Sequence, residues 1–201
     1  MVIEEAGINK KIIITDRAQN TEGNAGGFTS GEMFTSLDLL KIMLLSSSND
    51  AAVAFEDYLG GPEPFLKLIN RKAAAIGMTD TNFFDGSGLS DLNRSNATDL
   101  LKLLRYILEN HPEIFNWTRQ AEILVQPIND TNSRTITNIN TFIDNKDFLG
   151  GKTGTSEEAR ENLVAIFTIN NYRSAVVILG SVSRVKETES ILNWINGAYQ
   201  F

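Results

Sequence analysis

The stretch Gly150-Gly151-Lys152-Thr153-Gly154-Thr155 precedes Leu163–Ile169 (Leu-Val-Ala-Ile-Phe-Thr-Ile), the pair Asn170-Asn171 and a second apolar run, Ser174–Leu179. Two β-rich runs joined by two residues that tolerate positive φ spell an antiparallel hairpin. Working outward, Ile123–Gln126 and Thr135–Thr137 read as strands around a turn at Asn129 to Ser133. Beyond the hairpin, Val185 to Ala198 carries Ile191, Leu192 and Ile195 at helical spacing. Far upstream, Lys10–Ala18 opens on a β-branched run that predicts a short strand, and Asn20 to Gly31 is a polar, glycine-rich loop.

Between these β-rich ends the period changes. Leu37, Leu39, Leu40, Met43 and Leu44 recur at helical spacing, with Thr35 or Ser36 placed as a cap. Ser46-Ser47-Ser48-Asn49 breaks the pattern, and a second helix is expected from Asp50 to Tyr58. Gly60-Gly61-Pro62 closes that helix and opens another, with Phe65, Leu66, Ile69 and Ala73 on its apolar face and Gly77 ending it. Thr79 to Arg94 is a long loop. Asn96 then caps a helix with Asp99 in its first turn and Leu100, Leu101, Leu104, Ile107 and Leu108 as the expected buried stripe. The pattern predicts an α/β (α+β) fold, an antiparallel sheet flanked by helices plus an all-helical subdomain. All 201 residues form one domain in this reading, with a helical subdomain over about 35–118 and a sheet subdomain over about 8–34 and 119–201.

Composition narrows the function. With 42% apolar residues the chain has the means to build a core, so disorder as the main state is excluded. The charge is 18 − 25 = −7, without basic clusters, which argues against a nucleic-acid partner. No apolar stretch approaches the ~20 residues a membrane-spanning helix requires. Cysteine is absent, so disulfides, thiolate metal sites and cysteine nucleophiles are excluded, and His111 is the only histidine. No metal or cofactor is expected. The opening Met1-Val-Ile-Glu-Glu-Ala-Gly lacks the basic start and apolar core of a secretory signal.

Two short motifs carry the chemistry: Ser47-x-Asn49 at a helix junction and Lys152-Thr153-Gly154 entering a strand. A Lys beside a Ser hydroxyl can hold a hydrogen-bond relay and pass a proton to a leaving amine. An Asn amide can position a substrate amide. A strand that begins with Thr and Gly can bind a carboxylate, and the Gly leaves room for a peptide to pair along the strand edge. Blander readings stand beside these. Ser46 to Asn49 could be only a helix cap, and Lys152 to Gly154 a plain turn. Asp85-Gly86-Ser87-Gly88 lacks the further Gly and Lys-Ser of a phosphate loop. His111 before Pro112 fits a surface or capping role, Glu157, Glu158 and Glu161 a solvated face, and Trp117 and Trp194 the core or its rim.

Together the motifs resemble the D-alanyl-D-alanine carboxypeptidases of the penicillin-binding, serine β-lactamase-like superfamily. Ser47-Ser48-Asn49-Asp50-Ala51 is similar to the family's Ser-x-Asn motif and Gly151-Lys152-Thr153-Gly154-Thr155 to its Lys-Thr-Gly strand. Gly31-Glu32 followed by Leu39-Leu40 fits the segment that leads into the first of these, and Gly77 to Phe83, Gly86 to Leu89 and Ala97 to Leu100 match the segments between them, all in order and spacing. The resemblance implies that Ser47 relays protons, Asn49 holds the substrate amide and Lys152 completes the relay. It also implies that Thr153 binds the substrate's terminal carboxylate beside Gly154, and that the N–H of Thr155 forms half of an oxyanion hole.

The family's first motif, Ser-x-x-Lys with the acylated serine, has no counterpart before Ser47; the only match, Ser183-Arg184-Val185-Lys186, lies after Lys152 and reads as chance. The expectation is therefore a shortened member, without turnover as it stands, whose parent acts outside the cytoplasm. Its partners would be peptidoglycan stem peptides ending in D-Ala-D-Ala and β-lactams. The alternatives are a non-catalytic homologue that binds such peptides or β-lactams, a β-lactamase, and a marginally folded fragment. Removal of a buried helix leads us to expect that Leu39, Met43, Leu44 and Ala52 face a void or a partner chain, with self-association across the gap.

Overall fold

The computed structural model describes residues 1–23 and 25–198. A short helix α1 (Val2–Ala6) precedes strand β1 (Lys11–Ile13), helix α2 (Asp16–Gln19) and strand β2 (Met33–Thr35). The helical stretch follows as α3 (Ser36–Ser46), α4 (Asn49–Tyr58), α5 (Pro62–Ala75), α6 (Ala97–Asn110) and α7 (Glu113–Thr118). Strands β3 (Glu122–Val125), β4 (Arg134–Thr137), β5 (Phe148–Ser156), β6 (Arg160–Ile169) and β7 (Tyr172–Ser181) lead to the terminal helix α8 (Arg184–Ala198).

All pairings are antiparallel: β1 with β2, β3 with β4, and a three-stranded sheet in the order β5-β6-β7. The hairpin expected at Asn170-Asn171 is present. Both residues have positive φ, 50° and 66°, the geometry that matches strand twist in a two-residue turn. The expected caps at Thr35 and Asn96 form, and Ser48 caps α4 as well: each side chain accepts from a backbone N–H of the first turn it precedes.

Among the described residues two large cores and a smaller cluster of Leu104, Phe115 and Ile166 hold the chain. In one large core, Ile12 and Phe34 of the N-terminal strands and Ile14 just after β1 join Leu39, Ile42, Leu45, Val53 and Phe55 of α3 and α4. In the other, Phe148, Leu163, Phe167, Val176 and Ile178 of the sheet meet Phe142, with Ile191, Leu192 and Ile195 of α8 covering them. Three Phe rings, 142, 148 and 167, sit within 5.4–6.4 Å of one another at its centre.

Details depart from expectation. The strand ends at Ile13, short of the β-branched run, and Asp16 to Ala18 is helical because the Thr15 hydroxyl caps that turn by accepting from the Ala18 N–H. On α6, Leu101 is 44% exposed, and Leu103 turns inward in its place. Leu101 lies about 100° round the helix from Leu100, at the edge of the stripe. Leu39 is fully buried and faces no void, whereas Met43, Leu44 and Ala52 do line an apolar cavity of about 260 Å³. Trp194 lies on the outer side of α8, 60% exposed, at the rim rather than in the core. No helix among the described residues is long and apolar enough to cross a membrane.

Candidate active site

Ser47 stands between α3 and α4, and the turn there is sharp. It has φ 56° and ψ 41°, a left-handed conformation uncommon for a residue with a Cβ, held by the helices on either side. The next residue, Ser48, caps α4 through its hydroxyl, which also donates to Asp50 Oδ1. Asp50 is fully buried and accepts from the backbone N–H groups of Gly26 and Ala51. Its burial pushes the carboxyl above its ordinary pKa, against the pull of those hydrogen bonds. The polar knot thus ties the 25–27 loop to the helix junction and fixes the turn at Ser47.

β5 supplies the other side. Its head packs on α7: Gly151 N–H donates to Thr118 Oγ1 at 3.1 Å. Gly150 has φ +137°, and a Cβ there would lie 2.6 Å from the Phe115 carbonyl oxygen. This close approach of α7 sets where β5 runs, and the register shift between Phe148 and Gly150 lets the strand bend.

Lys152 reaches from β5 to Ser47 across 105 residues of chain, with Nζ donating to Ser47 Oγ at 2.6 Å and to the Thr153 carbonyl at 2.6 Å. Burial, aided by the nearby Arg184 charge, lowers the Lys152 pKa to about 8. An amine with that pKa exchanges protons near neutral pH, as a relay group must.

β5 is an edge strand of its sheet among the described residues. Along an antiparallel strand the N–H groups alternate in direction. Since Gly151 N–H leaves the sheet towards Thr118, those of Thr153 and Thr155 leave on the same side. A Cβ at Gly154 would meet nothing within 4 Å, so the edge is open there. Ser47, Asn49, Lys152, Thr153, Gly154 and Thr155 all line one cleft of about 550 Å³.

Asn49 lines the cleft, but its amide is engaged elsewhere, donating to the Glu22 carbonyl at 3.0 Å. Two contributors escaped the reading from sequence. Arg184 Nη1 donates to Thr155 Oγ1 at 2.7 Å and to the Gly154 carbonyl at 3.0 Å, adding a second cation to the cleft. The Gly86 to Leu89 loop forms another wall, tied down where Gly86 N–H donates to Glu56. Arg184 lies inside Ser183-Arg184-Val185-Lys186, a match set aside as chance. Ser183 does act as a cap there, its hydroxyl accepting from the Lys186 N–H. Behind Lys152 to Gly154 lies a further apolar cavity of about 370 Å³, lined by Leu103, Leu104, Ile107 and Ile114. Leu44, Leu103 and Ile114 line both apolar cavities.

Comparison with known proteins gives the family and the fold. Residues 1–183 match the family model described as D-alanyl-D-alanine carboxypeptidase. The D-alanyl-D-alanine carboxypeptidase DacC of Escherichia coli is 32% identical over 170 residues, 82% of this chain and 41% of that protein. The chain spans about half the length of the relatives it matches. Among solved structures, a D-alanyl-D-alanine carboxypeptidase from Mycobacterium tuberculosis superposes with a TM-score of 0.88 at 24% identity, over 98% of this chain and 78% of that one. Penicillin-binding protein D2 of Listeria monocytogenes, solved with cefotaxime bound, gives 0.81 at 23% identity, over 96% of this chain and 79% of that one. The architecture is the penicillin-binding, β-lactamase-like α+β fold.

Proposed function

This chain belongs to the D-alanyl-D-alanine carboxypeptidase family, and from that premise we propose that its cleft serves acyl transfer from peptidoglycan stem peptides ending in D-Ala-D-Ala. The observation that carries the reading is the 2.6 Å hydrogen bond from Lys152 Nζ to Ser47 Oγ at an open strand edge. The 201 residues form one penicillin-binding-type domain in this reading, with the helical part about 35–118 and the sheet part meeting at that cleft.

The peptide lies along β5, its backbone paired with the outward N–H and C=O groups from Thr153 to Thr155. Thr153 and Lys152 receive the terminal carboxylate, and Arg184 adds charge beside Thr155. A serine hydroxyl attacks the carbonyl carbon of the penultimate D-alanine, with the oxyanion on the Thr155 N–H, a contact whose loss in such sites costs ~3 kcal/mol. The C–N bond breaks. The proton of the attacking hydroxyl passes by way of Ser47 and Lys152 to the departing amine of D-alanine. Water then hydrolyses the ester and frees the shortened peptide. Asn49 holds the substrate amide once its side chain turns from the Glu22 carbonyl.

The attacking serine is not Ser47, which the relay uses. We place it in a Ser-x-x-Lys segment outside these residues, upstream in the same polypeptide or on another chain. We seat that segment's helix in the two neighbouring apolar cavities, one of which Lys152 lines, with a second copy of the chain as the alternative occupant. The parent protein acts outside the cytoplasm, where peptidoglycan lies. β-lactams fit the same cleft, as the cefotaxime complex of the Listeria protein supports.

Titration with a tripeptide ending in D-Ala-D-Ala, followed by NMR of the 201-residue chain, tests the reading. The expected result is binding with shifts at Thr153 to Thr155, weakened roughly tenfold or more in Lys152→Ala. Equal binding of a peptide ending in L-Ala-L-Ala, or indifference to Lys152→Ala, would overturn it. A reading as a non-catalytic binding module predicts the same binding but no acylation when a Ser-x-x-Lys segment is supplied.

A further inference from the structure

We propose a second ligand site, remote from the Ser47–Lys152 cleft, that takes an oxyanion carried on an apolar body. A pocket of about 280 Å³ lies where α6 and α7 meet the sheet, and no residue lines both it and the cleft. Its floor is apolar: Phe115 of α7, 7% exposed, Ile166 of β6, 2% exposed, and Leu149 of β5. Its rim carries Asn116, Arg119 and Arg173.

The charge placement is the unusual part. No carboxylate lines this pocket, and among the described residues neither guanidinium has a hydrogen bond or ion pair. By contrast Arg17, Arg105, Arg134 and Arg184 each meet a carboxylate within the chain. In a molecule of net charge −7, two uncompensated arginines on one concavity make a local positive site. The guanidinium fork matches carboxylate and phosphate oxygens two at a time, and the Asn116 amide adds a donor. The apolar floor rejects a bare ion in favour of one with a ring or short acyl chain. The volume, near the lower end for small-molecule sites at ~300 Å³, limits that body to about one ring.

The pocket also touches the strand that carries Lys152. Leu149 in its floor is followed by Gly150 and Gly151, the residues on which Phe115 and Thr118 of α7 press. A ligand bridging the rim of α7 and the floor on β5 fastens that seam.

The test uses phenyl phosphate as probe, with inorganic phosphate and benzyl alcohol as the two half-ligands, by calorimetry and amide NMR at low salt. Phenyl phosphate is expected to bind roughly tenfold or more tightly than either half, with shifts centred on Phe115, Leu149 and Ile166. Arg119→Ala and Arg173→Ala should each weaken it about tenfold, Arg119→Lys and Arg173→Lys less, and Arg105→Ala not at all. Both arginines are exposed, so these variants should keep the fold, which the NMR spectrum itself checks. Absence of binding, shifts confined to Lys152–Thr155, affinity unchanged in the alanine variants, or equal binding of inorganic phosphate would overturn the assignment.

Discussion

Gly151 and Gly154 sit three residues apart on one strand, yet their substitution should have opposite consequences. A Cβ at Gly151 would lie 2.6 Å from the Val164 carbonyl oxygen and 2.7 Å from Ala165 Cβ, across the β5–β6 pairing. Gly151→Ala should therefore destabilise by about 2–3 kcal/mol in chemical denaturation. Gly154→Ala meets open space and should leave stability within about 0.5 kcal/mol while weakening peptide binding at the edge. If Gly154→Ala unfolds the chain, or binds peptide as well as the parent, the open-edge account fails. Lys152 offers a pH test. Its folded pKa of about 8 lies below the ordinary 10.5, so between those values the unfolded chain binds more protons than the folded one. Stability relative to Lys152→Met should rise as pH climbs through that window. A flat difference would mean that the ammonium is not desolvated.

At the scale of elements, α1 is the clearest case of structure held from afar. It is five residues long with no side-chain cap, too short to be stable alone. Glu4 anchors it: Lys72 Nζ lies 2.6 Å away, Tyr106 donates its hydroxyl, and His111 Nε2 is at 3.2 Å. Burial alone would raise the Glu4 pKa, but these partners outweigh it and hold the carboxyl at about 2. The stabilisation is thus present above the ordinary value of 4.5 and lost as pH falls from there towards 2. Glu4→Gln should cost about 2 kcal/mol at neutral pH, with the difference from the parent closing across that acid range. A pH-independent difference would place the effect in packing instead. Nothing near Val2–Ala6 in sequence announces this anchor, which is why that helix was not legible. The hairpin at Asn170-Asn171 and the caps at Thr35 and Asn96 were legible because their causes are local. The inward turn of Leu103 was not, since the wall it faces comes from α3 and β5.

Across the whole molecule, the site was readable where family motifs fall and opaque elsewhere. Ser47 and Lys152 could be paired in advance because a hydroxyl and an amine at those motifs have one shared use, and the fold brings them to 2.6 Å. Arg184 could not, since its role depends on α8 starting beside Thr155, a contact between residues 29 apart that no spacing encodes. Asn49 illustrates the converse: its motif was plain, but its amide is occupied by the Glu22 carbonyl. The expectation of a void held for Met43, Leu44 and Ala52, which line an apolar cavity, and failed for Leu39, which packs with residues of the N-terminal strands. The molecule therefore carries a formed Lys152–Ser47 hydrogen bond and an open strand edge next to unfilled apolar space.

The most direct measurement is intact mass after incubation with benzylpenicillin, on the 201-residue chain alone and on the same chain joined to a Ser-x-x-Lys segment of the family. The account predicts no adduct on the chain alone, one penicillin per molecule when the segment is present, and loss of that adduct in Lys152→Ala. A stable adduct on the chain alone, mapped to Ser47, Ser48 or Ser183, would contradict the relay assignment, and no adduct in either form would contradict the proposed acyl transfer.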